Sequence, residues 1–169
     1  MDRPGGFAAD FLQVRQAARE SIITKIAVRE ATLPDLPRLL ELYTLLDFGP
    51  SKKLSLEEAR LRFLQYRKYP DYCVYVAESA GLIVGTFALI IIDSVAHGGM
   101  PFGIVEDVVV SHDCQGEGIG QEMMQFAMAR CNEKGCYKLA LSSHLKREQA
   151  HKFYESLGFE KHGFSFLIQ

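Results

Sequence analysis

The sequence predicts a mixed α/β domain, of the α+β kind, in which strands and helices follow in the order βααβββαβαβ. Three observations carry that reading. Stretches of period-two alternation and stretches with a three-to-four-residue apolar repeat replace one another along the chain. A long apolar run at 82–92 faces a second strand-like run at 72–78 across the short turn Ser79-Ala80-Gly81. Glycines stand where helices should begin and end, around 116–120 and at Gly135 and Gly158.

Taken in order, residues 1–24 read as an N-terminal extension. Phe7, Phe11, Val14, Ala18 and Ile22 repeat at helical spacing there, which predicts a short amphipathic helix covering the domain surface. The domain proper spans 25–169. Ile26, Val28 and their polar neighbours alternate as a strand. Thr32 and Asp35 then open a helix whose apolar face holds Leu39, Leu40, Tyr43 and Leu46. Gly49 and Pro50 break the chain into a loop over 47–54. Ser55 and Glu58 have capping-box spacing and predict a second helix through about Tyr66.

The hairpin of 72–78 and 82–92 follows, then a loop over 93–100 containing His97, Gly98 and Gly99. A strand at 103–110 feeds the glycine segment and a helix from about Ile119 to Lys134. Gly135 stops that helix. A strand at 137–143, a helix at 148–157 and a closing strand at 159–168 complete the order.

Bulk properties set the class. The chain has 169 residues, 48% hydrophobic and 24% charged, enough to bury one ordinary core. A formal net charge of -2 gives no drive toward nucleic acid or an anionic membrane. Cys73, Cys114, Cys131 and Cys136 show neither metal-site spacing nor a C-x-x-C pair, so free thiols and no bound metal are expected. No signal-like run opens the chain, and 82–92 is too short to span a bilayer as a helix, so a cytoplasmic location is expected.

The most informative segment is Gln115, Gly116, Glu117, Gly118, Ile119, Gly120 and Gln121. A strand ends just before it and a helix starts inside it. The first amides of a helix have no partner within the helix and lie at its positive end. Glycines let the backbone turn and leave room for a phosphate. A P-loop would need lysine and a hydroxyl residue after Gly120, whereas Gln121 and Glu122 follow. A dinucleotide fingerprint would need glycine at the position of Gln121.

Gln115-x-x-Gly118-x-Gly120 resembles the pyrophosphate-binding signature of the GNAT superfamily of N-acetyltransferases. Residues 28–36 resemble that family's opening strand and helix, and 153–159, Phe153 to Phe159, its closing helix-to-strand signature. The resemblance covers about 25–168. Within the superfamily, 105–110 together with 135–138 is similar to the glucosamine-6-phosphate N-acetyltransferases. Residues 146–154 with Phe164 and Phe166 are more similar to the aminoalkylphosphonate N-acetyltransferases. Ser142 stands where the hexosamine enzymes have aspartate, and Arg147 where many members have asparagine.

The resemblance implies a GNAT-type acyl-CoA N-acyltransferase fold, a mostly antiparallel mixed sheet flanked by helices, with acetyl-CoA as co-substrate. It implies a gap between the strands at 103–110 and 137–143 in which the pantetheine arm lies. Backbone groups of Val108, Val109 and Val110 would hold the arm, and the Val108 amide would face the thioester oxygen. Tyr154 is the candidate general acid, since a phenol titrates near ~10 and keeps its proton at neutral pH. Glu106 is the candidate base, acting through water; regular alternation would put it on the face of Val108 and Val110. A β-bulge, usual in this family, would bring Asp107 to the amine as well. Ser143 and His144 are expected near the acceptor mouth, and Lys146 and Arg147 are candidates for holding an anion.

These features predict an N-acetyltransferase that moves the acetyl group directly to a primary amine of a small molecule, without an acetyl-enzyme. By analogy with the family, a homodimer is expected. A protein or peptide acetyltransferase and a non-catalytic acyl-CoA sensor are the alternatives; Tyr154 and Glu106 together favour the enzyme.

Overall fold

The computed structural model describes residues 26–46 and 54–168, and the expected N-terminal helix of 1–24 and most of the 47–54 loop lie outside them. Five strands form one sheet in the sequential order β1 (Ala27–Glu30), β2 (Tyr72–Ser79), β3 (Leu82–Ile92), β4 (Phe102–Val110) and β5 (Leu139–Leu141). The first four pair antiparallel, and β5 pairs parallel to β4. The sheet is therefore mixed and mostly antiparallel, as the sequence predicts.

Local chemistry explains the helices. A single 3-10 turn at Leu33–Asp35 leads into α1 (Leu36–Tyr43), which stops at Thr44, shorter than the apolar repeat to Leu46 suggests. Asp35 is the hub of this corner. Its carboxylate accepts from the Thr32 amide at 2.7 Å and takes both arms of the Arg29 guanidinium at 2.7 and 3.0 Å. Arg29 also reaches Glu78 on β2 at 2.6 Å, so one guanidinium ties β1, β2 and the first turn together. In α2 (Leu56–Tyr66) the predicted capping box is present: the Glu58 amide donates to the Ser55 hydroxyl oxygen at 3.2 Å, and the Ser55 amide donates to the Glu58 carboxylate at 2.8 Å.

The sheet separates two apolar layers. On one face Leu36, Leu39 and Phe63 pack on Val74, Val76 and Ala88. On the other, Ile119, Met123, Met124 and Ala127 of α3 (Ile119–Glu133) cover Tyr75, Phe87, Leu89 and Val105. The last helix, α4 (Glu148–Ser156), adds Phe153, Tyr154 and Leu157 to the rim of that second layer.

Two expectations at the C-terminal end need correction. The penultimate strand is three residues, not the seven of 137–143. The closing strand expected at 159–168 is not formed: these residues pair with no strand among the described residues, and 160–168 are exposed. Gly158, with φ of 92°, turns the chain out of α4 toward solvent, so the apolar pattern finds no ladder within the described residues.

Candidate active site

Strand β4 is the spine of the site. Its ladder to β5 covers only Gly103, Ile104 and Val105, opposite Leu139, Ala140 and Leu141. Beyond Val105 this ladder ends, and β4 runs on to Val110 without a β5 partner, where the gap is expected. The end of the ladder coincides with an irregularity on the other edge of β4. Ala88 of β3 pairs with Glu106 and Thr86 pairs with Val109, so Asp107 and Val108 together oppose the single residue Phe87. That is a β-bulge, and Asp107 takes the left-handed conformation at φ of 53°.

The bulge changes which way the side chains face. Cross-strand partners share a face, so Glu106 lies with Ala88 on the α1 side of the sheet. Val108 and Val110 pack on the α3 side. The expectation that Glu106 shares a face with Val108 and Val110 therefore fails, because one inserted residue reverses the alternation. Asp107 does gain the re-aimed position that a bulge provides.

On the α1 side Glu106 and Asp107 meet aromatic residues that the sequence reading passed over. Tyr43 of α1 lies against the Thr86 hydroxyl and within the field of Asp107. Tyr72 of β2 stacks on Tyr66 of α2 at 4.8 Å and feels both carboxylates. Burial pushes the Tyr72 phenol up to about 12 and raises Tyr43 further, so both remain protonated hydrogen-bond donors. The signal for these residues was weak, since a tyrosine at a core-facing helical position reads as packing. Glu106 is exposed along the gap, yet its carboxyl is held above the usual range, first by desolvation and then by the charge of Asp107. Asp107 is raised by desolvation as well.

Tyr154 comes from α4, on the α3 side of the sheet. Its ring packs on Phe153 at 5.2 Å and edge-on to Phe159 at 5.8 Å, so it is both a packing residue and a positioned phenol. Burial raises its pKa, the Arg147 charge lowers it and the Glu106 charge raises it, which puts Tyr154 within the field of both side chains. The acid and base candidates thus feel each other's charge, although they come from residues 48 positions apart.

The glycine segment follows the end of β4. Gly116 and Gly118 are both left-handed at φ of 84°, and nothing lies within 4 Å of where a Cβ would stand. Gly118 is the N-cap of α3 and no side chain caps that helix. Its first amides therefore face an open, exposed cradle bounded by Gln115, Gly116 and Glu117, with Gln121 exposed one turn on. The uncapped amides and the open left-handed glycines fit a pyrophosphate. Gly120 serves a different purpose from the other two: a Cβ there would stand 3.1 Å from the Phe153 ring, so it permits α4 to pack against α3. Ile119 is buried and anchors the helix start in the core. The Gln115 side chain donates to the Val110 carbonyl at 3.4 Å and closes the loop on itself.

Ser143 and His144 follow β5. His144 is exposed, its Nδ1 accepts from the Lys146 amide at 3.1 Å, and its carbonyl is met by His151 Nε2 at 3.1 Å. Those bonds brace the turn into α4, which carries Arg147 and Tyr154. Among the described residues no group of His, Cys, Asp and Glu has the arrangement of a metal site.

Residues 36–159 match the acetyltransferase (GNAT) family. The chain belongs to that family. It is 32% identical over 83% of its length to a glucosamine 6-phosphate N-acetyltransferase of Trypanosoma brucei brucei, covering 92% of that protein. It is 25% identical over 88% of its length to an aminoalkylphosphonate N-acetyltransferase of Salmonella typhimurium, covering 94%. Among solved structures, a putative acetyltransferase from Agrobacterium tumefaciens superposes with a TM-score of 0.79 at 31% identity, over 85% of this chain and 99% of that one. The GNAT chain described here is accordingly an acetyl-CoA-dependent N-acetyltransferase, and its sheet is the expected GNAT fold.

Proposed function

We propose that this enzyme transfers the acetyl group of acetyl-CoA directly to the primary amine of a small molecule carrying an anionic group, with amino sugar phosphates and aminoalkylphosphonates as the first candidates. The observation that carries the reading is the bulge at Asp107. It sits where β4 leaves β5, with Glu106 and Tyr154 within each other's field and the α3 cradle at the same end.

The roles follow from chemistry. The α3 amides and the left-handed Gly116 and Gly118 hold the pyrophosphate. The backbone of Val108, Val109 and Val110, past the end of the β4–β5 ladder, lines the arm, and the Val108 amide donates to the thioester oxygen. The thioester supplies an acyl group activated for attack. Glu106 accepts the amine proton through water, and its raised pKa makes it a stronger base than an ordinary glutamate. Asp107, Tyr43 and Tyr72 hold the ammonium before it is deprotonated. Tyr154 protonates the leaving thiolate. Ser143 and His144 border the acceptor, and the exposed Arg147 beside Tyr154 meets its phosphate or phosphonate.

The names of the curated relatives support a small-amine acceptor, and four free cysteines support a reducing, cytoplasmic setting. The test is a panel of amines scored by thiol release and by mass of the acetylated product. Turnover should be highest for small phosphorylated or phosphonylated amines. Preference for a peptide N-terminus or lysine would replace this reading with a protein acetyltransferase, and CoA binding without turnover would replace it with a sensor.

A further inference from the structure

Helix α3 ends in a Schellman turn, and a cysteine stands at each of the two positions that such a turn brings together. The Cys136 amide donates to the Cys131 carbonyl at 2.9 Å, and the Gly135 amide donates to the Asn132 carbonyl at 3.0 Å. Gly135 between them is left-handed at φ of 70°. The turn folds the residue just past the glycine back onto the third residue before the helix cap, where an apolar contact commonly forms. Here that contact is thiol on thiol: the Cys131 and Cys136 side chains hydrogen-bond. Five positions separate them, so the pair lacks the C-x-x-C spacing that marks a dithiol in a sequence.

The two thiols have different surroundings. Cys131 is 5% exposed, and its sulfur fills the space beside Gly103, where any Cβ would collide with it. Cys136 is half-buried at the edge of the same core cluster. The Cys131 thiol is pushed up to about 12, first by burial and then by the charge and the hydrogen bond of Cys136. Cys131 therefore keeps its proton, and Cys136 is the partner that can meet a small solute as a thiolate. The flanks of the pair are anchored. The Tyr137 amide donates to the Pro101 carbonyl and the Gly103 amide to the Lys138 carbonyl, both at 2.9 Å. Cys136 thus lies at the entry to β5, and Cys131 against the start of β4. The other two cysteines are placed differently: Cys73 lies on β2 with its thiol bonded to Tyr75, and Cys114 lies in the turn after β4.

We propose that Cys131 and Cys136 form a redox site at which a peroxide makes a reversible disulfide, joining the end of α3 to the entry of β5. Cys136, as thiolate, takes one oxygen from hydrogen peroxide and becomes a sulfenic acid, releasing hydroxide. The Cys131 sulfur then bonds to the Cys136 sulfur, and the sulfenic oxygen leaves as water with the Cys131 proton. The pair gives up two electrons, and the peroxide is reduced to water and hydroxide. A thiol reductant reverses the step by exchange. The backbone bond between the two residues is already made in the reduced protein, so the S–S bond closes a turn that is native in shape. The site lies at the far end of α3 from the glycine cradle, roughly 20 Å along the helix, so oxidation secures the fold without occupying the cradle.

Peroxide treatment of the intact folded protein tests this, followed by alkylation of the remaining thiols, tryptic digestion and mass spectrometry. Trypsin cuts after Arg130, Lys134 and Lys138, so the two cysteines fall in separate peptides, 131–134 and 135–138. The expected product is these two peptides joined, two hydrogens lighter than their sum, and separated again by dithiothreitol. The oxidised protein should melt at a higher temperature than the reduced one. Cys136→Ser should abolish the joined product and leave Cys131 a thiol under the same treatment. Recovery of Cys131 and Cys136 as alkylated thiols after peroxide overturns the proposal, as does their oxidation only to sulfinic or sulfonic acids. A joined product that lowers Tm, or one that takes Cys73 or Cys114 instead, also overturns it. Should Cys136→Ser fail to fold, the digest of the parent decides alone.

Discussion

Among single residues, Tyr154 and Glu106 bear the most weight. Tyr154 is held by two aromatic neighbours while its phenol is raised first by burial and also by the Glu106 charge. Tyr154→Phe keeps the ring packing and removes only the proton. Turnover should fall about 100-fold or more, with little change in KM for acetyl-CoA and little change in Tm. Turnover near that of the parent would reduce Tyr154 to a packing residue. The Glu106 test is a pH profile. An amine acceptor is mostly protonated at neutral pH, since alkylamines titrate near ~10. The Glu106 carboxyl is raised by desolvation and by Asp107, so it passes from acid to base closer to neutrality than an ordinary glutamate. Glu106→Gln should lower kcat/KM most near pH ~7, with the deficit shrinking toward pH ~10 as free amine becomes abundant. A deficit constant across pH would make Glu106 a binding residue and move the base role to Asp107, whose bulge aims it at the same acceptor space.

At the scale of elements, the capping box of α2, the limits of β3 and the start of α3 were legible because each rests on local chemistry: a Ser55–Glu58 pair, an unbroken apolar run, and glycines before a helix. The bulge was legible only through the family resemblance. Nothing local in Glu106-Asp107-Val108 signals an inserted residue, since the register that inserts it belongs to β3. The tyrosines at 43, 66 and 72 were illegible as site residues for a similar reason: they come together only when α1, α2 and β2 pack. The closing strand was misread because alternation reports strand-forming capacity, and capacity needs a partner edge. The corner of β1 and the first turn makes its own prediction. Arg29 holds Asp35 at about 2, below its usual 3.8, chiefly through their side-chain hydrogen bonds. The depressed pKa contributes stability that is present above pH ~4 and lost as pH falls toward ~2. Asp35→Asn should cost about 2 kcal/mol at neutral pH, less whatever solvent screens at the partly exposed Arg29. Chemical denaturation of parent and variant from neutrality to pH ~2 should show the difference vanish at the acid end. A difference that persists there would mean that Asp35 acts through packing or the Thr32 bonds rather than through its charge.

For the molecule as a whole, the proposed function depends on two features, one in the sheet and one at the start of a helix. The bulge in β4 lies just past the end of the β4–β5 ladder, and the uncapped start of α3 follows the end of β4. Helix α4 is seated on Gly120 through Phe153 and carries Tyr154 next to it. The central claim is that acyl-CoA lies along the gap between β4 and β5 with its pyrophosphate on the α3 cradle. Calorimetric titration of CoA into Gly118→Glu, alongside the parent, tests it most directly. The variant places a side chain and a negative charge in the open space around Gly118; the left-handed backbone there lowers Tm somewhat, so circular dichroism must show a native fold before titration. The account predicts an affinity for CoA at least tenfold weaker, about 1.4 kcal/mol. A folded variant that binds CoA as tightly as the parent would contradict it.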